Sequence, residues 1–189
     1  PNYEIREGII KGMYCLEDNI KSKRIKVQVL GSGPILNEVI EASKLLSKDW
    51  DIDASIWSVT SYSELHREAE SINRWNNLHP ESPKKKSYLK KLLLKKNGPV
   101  IAVSDYVKLV AEQISPYMDC SFVALGTDGY GRSDTRDELR NFFEVNKYFI
   151  VLSTLNLLIS ESNSPIVLSV FNFCVASTAL ETSSLKNIS

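Results

Sequence analysis

Ile25-Lys26-Val27-Gln28-Val29-Leu30-Gly31-Ser32-Gly33-Pro34 opens the stretch that decides the fold, and Ile35 to Leu46 completes it. The first six residues alternate and are rich in β-branched side chains, which reads as a strand. Gly31-Ser32-Gly33 ends it. Pro34 suits the first turn of a helix, where a missing N–H costs nothing. Apolar residues then fall at 35, 36, 39, 40, 42, 45 and 46, the stripe of a helix with one face turned inward. Residues 25–48 are therefore strand, glycine turn, helix.

The pattern recurs outward from there. Residues 55–59 form a second strand, followed by Ser61 and Glu64 at capping-box spacing and a helix face of Leu65, Ala69, Ile72 and Trp75. Pro99 to Val103 is a third strand, with Ser104 placed to cap a helix carrying Val107, Val110, Ala111 and Ile114. Ser121 to Leu125 is a fourth, and Asp134 and Asp137 open the helix of Leu139, Phe142 and Phe143. Residues 5–16 read as a short helix. Residues 145–160 fit either a strand or a buried helix; a helix capped by Asn146 is the reading adopted. Strands alternating with helices predict an α/β fold, a three-layer sandwich with a mostly parallel sheet of four to five strands.

Composition narrows the function. The 189 residues are 43% hydrophobic, enough for one cored domain or a domain with a tail. Twenty-three basic residues balance 23 acidic ones, so no global field draws nucleic acid or a membrane surface. The apolar run from Tyr148 to Ile159 is too short for a bilayer, which needs about 20 residues. Cys15, Cys120 and Cys174 are far apart and form no CxxC pair, so reduced, buried thiols are expected. Residue 1 is proline and no signal peptide follows, so a trimmed start or a piece of a longer polypeptide is expected.

Candidate chemistry is sparse. The third glycine of a GxGxxG fingerprint would fall at Leu36, so Gly31-Ser32-Gly33 reads as a tight turn into a helix more than as a dinucleotide site. A stand-alone module binding a nucleotide or anion at that helix start is the alternative reading. Lysines 84–86, 90, 91, 95 and 96 surround Tyr88, Leu89 and Leu92 to Leu94, the pattern of a solvated helix face over a leucine stripe. His66 and His79 have no metal-ligand spacing, so they are expected to be hydrogen-bonded structural groups, and no metal site is expected. The most distinctive segment runs from Leu125 to Arg136 and contains three glycines. Asp128, Arg132, Ser133, Asp134 and Arg136 are the candidate site residues, because ligands and partners meet α/β sheets at loops beyond the carboxyl ends of strands. A purely structural arginine–aspartate network fits the composition equally well.

Taken together, Val27 to Gly33, Ser58 to Leu65, Arg74 to Pro80, Ser104 to Gln113, Leu125 to Arg136 and Phe142 to Val145 resemble, in order and spacing, the homodimeric pyruvate dehydrogenase first component. The resemblance covers roughly residues 3–160. It implies a transketolase-type C-terminal domain over residues 1–160. The tail over 161–189 departs from the resemblance and differs in composition, and is expected to be a last strand, a segment that packs only in the intact protein, or a poorly ordered end. It implies that the intact enzyme decarboxylates pyruvate on thiamine diphosphate with Mg2+ and acetylates lipoyl groups of a dihydrolipoyl acetyltransferase core. The cofactor and its activating glutamate then belong to two preceding domains, so no catalytic or cofactor-binding residue is assigned to this chain. Implied partners are those domains, a second copy of the enzyme and the acetyltransferase core with its lipoyl domains, in a bacterial cytoplasm. The 128–136 loop would sit at the active-site entrance or the dimer contact.

Overall fold

The computed structural model describes residues 3–18, 25–96 and 98–161. The expected tail from residue 162 onward, with Cys174, lies outside the described residues. Five strands form one sheet: β1 (Met13–Asp18), β2 (Ile25–Ser32), β3 (Ile52–Val59), β4 (Val100–Val103) and β5 (Phe122–Leu125), in the order β1-β3-β2-β4-β5. β2, β3, β4 and β5 run parallel, with Val27 beside Ala54, Leu30 beside both Trp57 and Ala102, and Ala102 beside Ala124. β1 is the antiparallel edge strand on β3.

Alternation along β2 divides the core. Val27 and Val29 face α2 (Leu36–Asp49) and α7 (Lys147–Glu161), meeting Val39, Leu46, Ile150 and Leu155. Leu30 faces the other way, toward α3 (Tyr62–Leu78), α4 (Tyr88–Leu93) and α5 (Lys108–Glu112), meeting Tyr62, Leu65, Leu89 and Ala111. Helices thus cover both faces of a largely parallel sheet, the three-layer sandwich expected.

Two local signals held as expected. Ser61 Oγ accepts the Glu64 N–H at 3.1 Å. Asn146 Oδ1 accepts the Tyr148 and Phe149 N–H groups at 3.0 and 3.2 Å, so residues 147–161 are a helix and not a strand. Three expectations are corrected. The helix expected over 5–16 is α1 (Tyr3–Lys11), and β1 follows it at once. Gly12 makes the break with φ 102°, and its carbonyl accepts the Thr60 and Ser61 N–H groups at 2.9 and 3.1 Å. Ser104 does not cap α5; its Oγ accepts the Tyr106 N–H at 3.1 Å, two residues on. Thr135, not Asp134 or Asp137, caps α6 (Arg136–Phe142), accepting the Glu138 N–H.

The cysteine expectation also changes, since Cys15 is half-buried and Cys120 is exposed. Burial pushes both thiols up, aided by Asp18 at Cys15 and by Glu161 and Asp119 at Cys120. The lysine-rich stretch yields only the six-residue α4, with Leu89 and Leu93 buried. Lys90 pairs with Asp119, Lys96 with Asp18, and the Lys85 ammonium lies 3.6 Å from the Trp75 ring centre. Within the chain, therefore, Lys90 and Lys96 are the lysines of this stretch that find an acidic partner among the described residues. Among the described residues one stretch, Arg136–Glu161, is long and apolar enough by composition to cross a membrane. It is broken at Glu144, which has φ 57°. Its continuous part, α7, packs Ile150, Leu155 and Leu158 into the core.

Candidate functional site

The connections define a crevice. From β2 the chain passes through α2 to β3 on one side, whereas from β4 it passes through α5 to β5 on the other. The loops after β2 and β4 therefore part at their carboxyl ends, the position where open α/β sheets bind ligands. Ser32 Oγ donates to Ser104 Oγ at 3.1 Å and ties the two strand ends together. Beyond that bond lies an open cleft of about 550 Å³, lined in part by Pro34, Asp105, Thr127, Arg132, Arg136 and Arg140.

The loop from Gly126 to Thr135 forms one wall and is anchored to the β4–α5 turn. The Thr127 N–H donates to the Tyr106 carbonyl at 2.9 Å, and Thr127 Oγ1 to the Asp105 carbonyl at 3.0 Å. Asp128 Oδ1 accepts the Lys108 N–H at 2.8 Å, so a carboxylate from 20 residues away serves the first N–H of α5. The expected site residues then separate. Arg132 and Arg136 line the cleft; Arg132 stacks its guanidinium 3.7 Å from the Phe142 ring centre. Asp134 also lines it, with Oδ1 accepting its neighbour's Thr135 N–H at 2.7 Å. Ser133 is exposed and outside the lining. Among the described residues no ion pair joins Arg132 or Arg136 to Asp128 or Asp134, so the arginine–aspartate network is replaced by stacking and backbone bonds.

Sequence reading missed Pro34, Asp105 and Arg140. They come from three separate segments and meet only because parallel strands end together. Arg140 Nη1 donates to Glu38 Oε1 at 2.9 Å and Nη2 to the Pro34 carbonyl at 3.3 Å, which closes one end of the cleft. Tyr130 stands 95% exposed on the loop, with Tyr106 and Leu109 also exposed nearby in sequence to the turn it grips.

The same geometry tests the nucleotide and metal readings. A Cβ on Gly31 would lie 3.0 Å from both Leu36 Cδ1 and Val39 Cγ2, so that glycine lets α2 pack closely on the strand end. Gly31 thus serves helix–strand packing at the turn. His66 Nδ1 lies 3.0 Å from the Gln113 carbonyl and His79 Nδ1 2.9 Å from the Trp75 carbonyl, so both are structural. Among the described residues no three His, Cys, Asp or Glu side chains converge, so the donor set does not fit Mg2+.

Residues 12–146 match the family of transketolase-like TK C-terminal domains. The pyruvate dehydrogenase E1 component of Pseudomonas aeruginosa is 52% identical over 153 residues, 80% of this chain and 17% of that protein. Its counterpart in Escherichia coli K12 is 43% identical over 150 residues, 79% of this chain and 17% of that protein. This chain therefore spans about a sixth of the length of these relatives. Among solved structures, a transketolase of Pichia stipitis with sedoheptulose 7-phosphate superposes with a TM-score of 0.55 at 17% identity, over 81% of this chain and 19% of that one. Campylobacter jejuni transketolase gives 0.51 at 19% identity, over 79% and 18%. Those two likenesses show the fold; the family match and the closer sequence relatives show the lineage, and the chain belongs to the transketolase-like C-terminal domain family, in the branch homologous to the pyruvate dehydrogenase E1 component.

Proposed function

We propose that this chain is the C-terminal domain of a bacterial cytoplasmic pyruvate dehydrogenase first component. The observation that carries the reading is identity of 52% over 153 residues to an enzyme of that name. The intact polypeptide decarboxylates pyruvate and acetylates lipoyl groups of an acetyltransferase core. Thiamine diphosphate, with Mg2+, supplies the electron sink when bound. Its site falls in the parts of the polypeptide outside this chain. Calorimetry tests the division: thiamine diphosphate with Mg2+ gives no binding heat with this chain alone and saturable binding with the full-length polypeptide. Saturable binding by this chain would overturn it.

Within that enzyme the 126–136 loop supports the dimer contact or the entrance to the active site. Its anchoring to Tyr106 and Lys108 holds Arg132 and Arg136 at the cleft in a fixed backbone frame. Arginines held in this way are common anchors of interfaces, and truncating one often costs about tenfold in affinity. Arg132→Ala and Arg136→Ala in the full-length polypeptide are expected to weaken dimerisation, read by analytical ultracentrifugation, or to lower turnover, by about that factor. Wild-type dimerisation and turnover in both variants would remove the loop from this role.

A further inference from the structure

The cleft between the loops after β2 and β4 holds more positive charge than the chain's own contacts use. Five charged side chains line it: Asp105, Arg132, Asp134, Arg136 and Arg140. Three of them already have a local partner. Arg140 donates to Glu38 and to the Pro34 carbonyl. Asp134 Oδ1 accepts the Thr135 N–H. The Asp105 carboxylate lies over Gly33, where an added Cβ would come 3.6 Å from Oδ1. Gly33 begins the short turn that leads into α2, and the start of a helix favours a negative charge beside it.

Arg132 and Arg136 are left. Among the described residues neither guanidinium forms an ion pair or donates a hydrogen bond. Both are exposed at the cleft, so a solute reaches them. The Phe142 ring beneath Arg132 positions that guanidinium without using any of its N–H donors. The rest of the lining is of another kind. Ile35 and Val145 are each 1% exposed, and Leu139 and Phe143 lie beside them at the cleft. Two unpaired guanidiniums thus face the same space as an apolar wall. Its volume of about 550 Å³ falls within the roughly 300–1,000 Å³ of small-molecule sites, which combine apolar walls with a few placed polar groups. Guanidinium matches the two oxygens of a carboxylate, and such charge-assisted bonds are about twice as strong as neutral ones.

We infer that this cleft binds a small organic anion, a carboxylate on a ring-sized apolar body, with Arg132 and Arg136 holding the carboxylate and Leu139 and Phe143 meeting the body. The inference goes beyond the supporting role proposed for the loop. It rests on the lining of the cleft and not on the assignment of the domain.

The experiment uses the full-length polypeptide and three probes, with dissociation constants read by ligand-observed saturation-transfer NMR. 3-Phenylpropionate carries both features, 3-phenylpropanol keeps the ring without the charge, and propionate keeps the charge without the ring. Saturable binding of phenylpropionate, about tenfold tighter than either of the others, is the expected result; tenfold corresponds to about 1.4 kcal/mol. In the double variant Arg132→Gln/Arg136→Gln, phenylpropionate is expected to fall to the affinity of phenylpropanol, while phenylpropanol stays within twofold of its parent value. The alcohol therefore reports an intact apolar wall in the same sample. Equal affinity of the parent protein for phenylpropionate and phenylpropanol would overturn the inference. So would propionate binding as tightly as phenylpropionate, or a tenfold preference that survives in the double variant. Dimerisation and turnover are not readouts here, so the assignment of the domain and the role of its loop stand or fall separately.

Discussion

Replacing Glu38 by alanine is expected to loosen α7 by about 2–3 kcal/mol, the discounted cost of leaving a partly buried charge without its partner. The carboxylate serves two elements at once. Oε1 accepts Arg140 Nη1 at 2.9 Å, and Oε2 accepts the Lys147 N–H at 2.9 Å. The Arg140 and Glu38 side chains are only 14% and 17% exposed, so water does little to replace either bond. Without the carboxylate, Arg140 keeps only the Pro34 carbonyl at 3.3 Å, and the first N–H of α7 loses its acceptor. α7 covers one side of the sheet through Ile150, Leu155 and Leu158, so the damage spreads from its start into the core. Hydrogen exchange in the full-length polypeptide reads this locally. Amides 147–151 are expected to exchange roughly 30- to 150-fold faster, since each 1.4 kcal/mol is about a factor of ten. Glu38→Gln retains one acceptor and should fall between. Exchange within twofold of the parent protein in Glu38→Ala would show that Asn146 alone secures the helix start.

That prediction marks where sequence reading stops. Ser61 and Asn146 were legible as caps because each serves an N–H two or three residues onward. Glu38 serves Lys147 and Asp128 serves Lys108 across 109 and 20 residues, and no local pattern announces either. Ser104 was misread for that reason: the expected local cap was available, but the chain fills the position from another loop. β1 was hidden differently. Leu16, Glu17 and Asp18 have no strong strand composition, and they extend only because β3 offers them an edge and Gly12 turns the chain. Gln28 misleads in the opposite sense. A polar residue alternating with valines suggests a solvated face, but β2 lies between β3 and β4 and is covered on both sides.

The candidate loop was visible from its glycines and charges, whereas its wiring was not. Arg132, Asp134 and Arg136 are close in sequence, which suggested mutual pairing. The backbone instead directs Arg132 to Phe142 and Asp134 to its own neighbour's N–H. What fixes the loop is its first three residues, Gly126 to Asp128, and not the stretch from Arg132 to Arg136.

Gly126→Ala is accordingly expected to cost about 3–4 kcal/mol, far more than alanine at either of the other two loop glycines. A Cβ there would lie 2.5 Å from Lys108 N, 2.6 Å from Lys108 Cα and 2.7 Å from the Tyr106 carbonyl oxygen. All three are backbone atoms and cannot rotate aside, so the two loops must part. Overpacking of this kind costs about 1–3 kcal/mol. Separation also breaks the bond from Thr127 N to the Tyr106 carbonyl and the bond from Lys108 N to Asp128. Each of those is worth about 0.5–1.5 kcal/mol or somewhat more where a carboxylate accepts. Gly131 has nothing within 4 Å, and its alanine variant should stay within about 0.5 kcal/mol of the parent. Gly129 is equally open but has φ 105°, so its alanine variant carries backbone strain of about 1 kcal/mol. Exchange at the Lys108 and Thr127 amides orders the three variants directly. Because Gly126 holds the frame that presents Arg132 and Arg136, its variant should reproduce the dimerisation or turnover defect of the arginine variants without altering a charge. Equal behaviour of the 126 and 131 variants would mean that the loop is not held by this contact, and that its arginines act without a fixed frame.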